Sequence, residues 1–265
     1  MKRLLVIIVL LSTGTLIFSQ TSGGKLMPVT TSSKSALSLY NEAKKYYDDV
    51  KLDKAIGTFK KALEADHDFF MANYQLAVYS LLNKASDDFE VYADAAINCK
   101  AKLSDAEELL RNALKSLSQG QKDVTDFGNK LINLYPNDPE SYNNLISFQS
   151  ISGDVKGMVE TIQKAIKISA KPAPFYNQLG YGYLALDQAD KAEEAFDKYI
   201  ELDPDNPNVY DSKGDYYMYI KKYDKAYEMY IRANSMDASF SKGKAEAAKQ
   251  LYEQTEGKKL DIISI

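Results

Sequence analysis

The chain of 265 residues has one histidine, one cysteine and no tryptophan. A lone histidine, His67, cannot build an ordinary zinc site, which draws several imidazole, thiolate or carboxylate ligands together. Its place in "EADHDFF" fits a helix C-terminus better than a ligand position. A lone thiol, Cys99, forbids any intramolecular disulfide, so stability must come from packing. Cys99 falls beside the apolar Ala96 and Ile97 with no basic cluster near it, which reads as a buried, inert thiol. Strong basicity is absent too: the formal charge is −4, which argues against nucleic acid and anionic membrane surfaces as partners. Phosphate-binding glycine loops are missing, and the carboxylates of "PNDPE" and "DPDNPN" lack the alternating spacing and terminal glutamate of a calcium loop. These absences leave no catalytic constellation, metal cage or cofactor site to pursue, so a non-enzymatic role is expected.

Long apolar runs are also scarce. The single one, Leu4 to Phe18, follows Lys2 and Arg3 and ends in Ser19 and Gln20. It is ~22 Å as a helix against the ~30 Å of a bilayer core, and so reads as a signal peptide cleaved near Ser19 better than as a retained anchor. No cysteine stands at the cleavage point to accept a lipid. An exported protein, periplasmic or secreted, without stable membrane insertion is therefore expected. Loss of Lys2 and Arg3 with the leader makes the remainder slightly more acidic. Residues 20–34, "QTSGGKLMPVTTSSK", read as a polar linker without periodicity.

What is present is a repeat. Tyr142, Tyr176 and Tyr210 are each 34 residues apart, within "SYNNLI", "FYNQLG" and "VYDSKG". The register continues: Met158, Ala192 and Ala226 at position twenty, Ile162, Phe196 and Tyr230 at twenty-four, Ala165, Tyr199 and Ala233 at twenty-seven, and Pro136 and Pro204 at thirty-two. Small residues at such spacings let two antiparallel helices approach, and the larger ones fill the gap between them. Gly153, Asp187 and Lys221 mark the turn inside each hairpin, and the proline stretches separate one hairpin from the next. A hairpin with one apolar face needs neighbours to bury it, which predicts a solenoid.

Earlier units run from Ala36, with Ala43, Tyr46, Ala55, Phe59 and Ala62 in register, and from Phe70, with Leu76, Ala77, Phe89, Ala93 and Ala96. The segment 104–138 departs most. Ser104 and Glu107 form a capping box before an apolar stripe, but Glu108 and Gly128 stand where large apolar residues are expected, which predicts a bend or offset. The units are thus 36–69, 70–103, 104–138, 139–172, 173–206 and 207–240, followed by a capping helix, 241–256, and a tail, 257–265.

The pattern resembles the tetratricopeptide repeat family, and "LGYGYLALDQADKAEEAFDKYIELDPDNP" carries the resemblance best. It implies an all-α, right-handed superhelix in which the first helix of each hairpin lines a concave face. By that resemblance positions five, six and nine look inward. They place Tyr40, Tyr74, Asn143, Asn177 and Asp211, then Asn41, Gln75, Asn144, Gln178 and Ser212, then Lys44, Tyr181 and Asp215 on that face, with Tyr47, Met218 and Tyr219 beside them. A run of amides resembles the ladders that hold an extended peptide backbone, because an amide both donates and accepts; a merely tolerated polar face is the other reading. A carboxylate clamp is disfavoured because Glu140, Asp211 and Asp215 bring negative charge, so the implied partner is a neutral or basic protein segment. The alternative role is a structural subunit of a larger assembly, using the convex face and the degenerate third hairpin. The tail "KKLDIISI" is short, apolar and β-prone, either a frayed end on the last helix or a segment that docks in a groove.

Overall fold

In a computed structural model, which describes residues 24–260, the chain is all-α and superhelical. The helices pair in sequence as hairpins: α1 (Lys34–Asp48) with α2 (Leu52–Ala65), α3 (Phe70–Leu82) with α4 (Ser86–Ile97), and α5 (Asp105–Ser118) with α6 (Thr125–Leu134). The pattern continues with α7 (Pro139–Ser152) and α8 (Val155–Ile168), α9 (Ala173–Ala185) and α10 (Ala189–Leu202), and α11 (Pro207–Tyr219) and α12 (Tyr223–Met236). A single helix, α13 (Lys242–Glu256), follows them. No helix among the described residues is long and apolar enough to cross a membrane. Residues 1–23, which include the expected leader, and residues 261–265 lie outside the described residues.

The caps explain where helices begin. Ser33, Asp138 and Asn206 accept a backbone N–H of the first turn of α1, α7 and α11, and Pro139 and Pro207 occupy first-turn positions whose N–H has no helical acceptor. At α5 the capping box forms as its spacing predicts: Ser104 takes the Glu107 N–H, and the Glu107 carboxylate takes the Ser104 N–H. Inside every hairpin the first helix ends near one residue of left-handed backbone: Val50, Lys84, Gly120, Gly153, Asp187 and Lys221, with φ between 56 and 82°. Gly153, Asp187 and Lys221 are the expected turn residues. Val50 is β-branched, the side-chain type that tolerates this conformation least.

Within a hairpin, position eight packs on position twenty-four. A Cβ added at Gly180 would lie 2.5 Å from the Phe196 ring, and one at Gly214 would lie 2.4 Å from the Tyr230 ring. Each glycine thus makes room for an aromatic of its partner helix. Where position eight is Ile146, position twenty-four is the smaller, aliphatic Ile162. Phe196, Tyr199 and Tyr230 are all buried, as the repeat register requires.

The third hairpin breaks this regularity through a specific contact. Gly128 lies on α7 so closely that a Cβ there would come within 2.9 Å of the Leu145 Cα. The helix backbone, not a large side chain, is the contact surface. α6 is also the shortest helix, at 10 residues. Glu108 turns outward to Arg111 at 3.1 Å instead of entering the core. With this hairpin set aside, α7 comes to rest against α3, so the first helices of the second and fourth units meet directly. One continuous core cluster therefore runs from Met27 to Phe148, whereas the rest of the array is held by four smaller clusters.

Residues 24–33, part of the stretch 20–34 expected to be a polar linker, lie against the array. Met27 is buried in the first core cluster, with Val29 packed beside it. A polar composition hid this contact because the segment is held chiefly through its backbone and hydroxyls.

Candidate protein-binding face

The first helices bring the residues implied by the amide-ladder reading onto one side, but two halves of that side have different fates. In the N-terminal half, the meeting of α7 with α1 and α3 covers it. Tyr40 is 3% exposed and packs on Phe59 and Phe69 at ring distances of 5.5 and 5.3 Å, and Tyr74 is 1% exposed. Asn144 accepts the Tyr74 hydroxyl and donates to the Glu140 carbonyl at 2.8 Å. These three residues are core and not groove, a correction to the reading that placed them in contact with a ligand. The cause is the offset of the third hairpin, which lets α7 dock on α3.

Glu140 is the hub of this region. Its carboxylate accepts Lys44 at 3.1 Å, Gln75 at 3.2 Å and Asn143 at 3.4 Å. Burial is the largest effect and opposes its charge, but the Lys44 charge and the hydrogen bonds from Lys44, Asn143 and Gln75 together outweigh that cost, and its pKa falls below the ordinary carboxylate value. The same pairing raises Lys44 despite its own burial. The negative charge expected to shape a groove is thus neutralised internally. Asn41 alone of this set stays exposed.

In the C-terminal half the face remains open. Tyr181 is 39% and Tyr219 is 44% exposed. Tyr181 stands edge-on to Phe196 and donates to Asp215 at 2.7 Å; Tyr219 donates to Asp187 at 2.6 Å. Burial first, and then the Asp215 charge, push the Tyr181 phenol upward, so it remains a donor at any physiological pH. Asn177 and Gln178 each hold a side-chain carbonyl oxygen that is out of contact with solvent and has no hydrogen-bond donor. Buried amide oxygens of this kind ordinarily find a partner.

One residue that sequence reading missed joins this face. Lys244 of α13 places its ammonium between two carboxylates one helical turn apart, 2.7 Å from Asp211 and 2.8 Å from Asp215. Ser241 also donates to Asp211, and Tyr230 to Asp215 at 2.6 Å. A signal existed. One further 34-residue step from Tyr210 lands on Lys244, and one from Gly214 lands on the fully buried Ala248. α13 is therefore in register as the first helix of a further hairpin, and its buried Ala245 and Ala248 pack against α12.

Cys99 and His67 stay apart from both regions. The Cys99 thiol is buried beside the Arg111 guanidinium at 3.1 Å, with burial pushing its pKa upward, and His67 is exposed past the end of α2.

One stretch of the chain matches a known family: residues 173–206 fit the family model described as Tetratricopeptide repeat. Within the α-helical solenoid of the described residues, the hairpin of α9 and α10 thus carries the tetratricopeptide motif. Among solved structures, the chain is similar to a thermophilic TPR protein of Thermus thermophilus, with 16% identity over 84% of this chain and 100% of that one, at a TM-score of 0.45. MamA shares 22% identity over 74% of this chain and 95% of its own, at a TM-score of 0.43. The Cut9–Hcn1 hetero-tetramer of the APC/C shares 17% identity over 81% and 42%, at a TM-score of 0.45. No curated protein matches the chain.

Proposed function

We propose that this protein is a non-catalytic scaffold of the cell envelope, delivered there by its N-terminal leader, which holds an extended neutral or basic segment of another protein on the open faces of α9, α11 and α13. The observation that carries this reading is the seat of Lys244. Two carboxylates, one of them also accepting the Tyr181 and Tyr230 hydroxyls, already hold a primary ammonium on this face over the Tyr230 ring, which is the chemistry that a basic side chain of a partner requires. Asn177 and Gln178, one unit earlier, are half-buried, and the exposed Tyr181 and Tyr219 offer aromatic area.

The test is capture of partners from envelope extract by the mature chain. A specific protein is expected, and it is lost in an Asn177→Ala, Asp211→Asn, Asp215→Asn triple variant. An Asn41→Ala variant, altered in the half closed by α7, retains it. Retention by the triple variant would move the site off this face. Cell fractionation with N-terminal sequencing checks export: a mature protein beginning near Gln20 supports the leader, and an intact Met1 in the cytoplasm refutes it.

A further inference from the structure

The segment 24–33 is bound to the array as a peptide ligand would be. The Met27 N–H donates to Asp138 Oδ2 at 2.6 Å, and the Thr30 N–H donates to Glu107 Oε1 at 2.9 Å. The Thr30 hydroxyl donates to Glu107 Oε2 at 2.7 Å, and the Thr31 hydroxyl donates to Asp66. Lys25 lies 4.9 Å over the Tyr135 ring, and the Met27 side chain is 8% exposed. The three carboxylates come from the end of α2, the first turn of α5 and the N-cap of α7, so the segment reads the edge where the first, third and fourth hairpins come together.

The site is built, not incidental. Glu107 is 0% exposed, and its carboxylate collects the Ser104 N–H and hydroxyl as well as both donors of Thr30. Asp138 is 7% exposed and divides its two oxygens between the Glu140 and Met27 amides. Acceptors buried to this degree need donors. From the segment those donors are two backbone N–H groups and one hydroxyl, which a peptide supplies whether or not it belongs to the same chain. Covalent attachment to α1 passes only through the exposed Ser32 and the cap Ser33.

We propose that this edge is a peptide-recognition site, filled in cis by residues 24–31, which accepts an extended segment of another polypeptide with the same pattern: an apolar residue, proline, an apolar residue and a threonine, with no acidic side chain. Acidic segments are excluded because Asp66, Glu107 and Asp138 all face the ligand. A basic residue is accepted two positions before the buried apolar one, over Tyr135. This site is separate from the face of α9, α11 and α13, so its failure leaves that reading standing.

The experiment uses the whole chain with a specific protease site inserted after Ser32, cut and then mixed with a fluorescein-labelled synthetic peptide of residues 24–32. The nicked, helical protein is expected to exchange its own segment for the labelled peptide with a dissociation constant on the order of micromolar, whereas the uncut chain binds it at least about tenfold more weakly because the cis segment competes at about millimolar effective concentration. A Thr30→Val change in the peptide, or Glu107→Gln in the chain, which retains the capping box, weakens binding about tenfold. The proposal is overturned if the nicked chain stays folded and binds no labelled peptide. It is equally overturned if cutting, or Met27→Asp in the uncut chain, abolishes the helical circular dichroism, because the segment is then an integral part of the core and not a ligand.

Discussion

The two halves of the array use the same repeat and end up with opposite inner faces. In the first, α7 closes against α1 and α3, and tyrosines, amides and an ion pair are taken up in holding hairpins together. In the second, α9, α11 and α13 follow one another without interruption, and Tyr181 and Tyr219 stay exposed although Ser212 is buried. The difference originates in one hairpin, where Gly128 and a short α6 replace the usual side-chain contact. A polar residue on the inner face of a solenoid is therefore a candidate for binding only where the angle between hairpins leaves that face uncovered.

Mutations can break this comparison, and the largest effect is expected in the closed half. Glu140→Ala strands Lys44 in a mostly buried site and leaves Gln75 and Asn143 without their acceptor; a loss of about 3 kcal/mol in urea unfolding is expected. Because the folded-state pKa of Glu140 is depressed, its stabilisation is present above the ordinary carboxylate value of 4.5 and is lost as pH falls through the lower folded value. The variant should accordingly show less acid dependence below pH 4.5 than the parent. Asp215→Asn, in the open half, should cost less than about 1 kcal/mol, since its partner Lys244 is 45% exposed. Equal costs for the two would erase the distinction between a closed and an open half.

Helix packing offers the next test. Gly180→Ala drives a methyl into the Phe196 ring and should cost about 2 kcal/mol, whereas Gly57→Ala, with nothing within 4 Å, should stabilise by about 0.5–1 kcal/mol through helix propensity alone. Thermal melts of the two variants should shift in opposite directions. The smallest change concerns a turn: Val50→Gly relieves a left-handed β-branched residue and should raise stability by a net of about 0.5 kcal/mol, once the greater flexibility of the unfolded chain is offset.

Much of this was legible in the residues. Ala192, Phe196, Ala226 and Tyr230 are buried where the 34-residue register puts them, because burial inside a hairpin depends only on which face of a helix a residue occupies. The turn at Asp187 and the capping box at Ser104 were readable for the same reason, as they involve neighbours a few residues apart. Lys244 was within reach of the same counting and was missed because α13 has few large apolar residues and resembles a simple cap. Tyr74, Asn144 and the 24–33 segment could not be placed that way. Their contacts are 70 residues apart for Tyr74 and Asn144, and 111 for Met27 and Asp138.

What the sequence by itself determined was the hairpin, its internal packing and the repetition that makes a solenoid, since each follows from local periodicity and small residues at fixed spacing. Only the tertiary structure decided which part of the inner face stays open, that Glu140 and Lys44 neutralise each other, and that the polar segment 24–33 packs on the array. Those outcomes depend on the angle at which one hairpin meets the next. That angle is set by a few close contacts, such as Gly128 on Leu145, whose consequences appear far away in the chain.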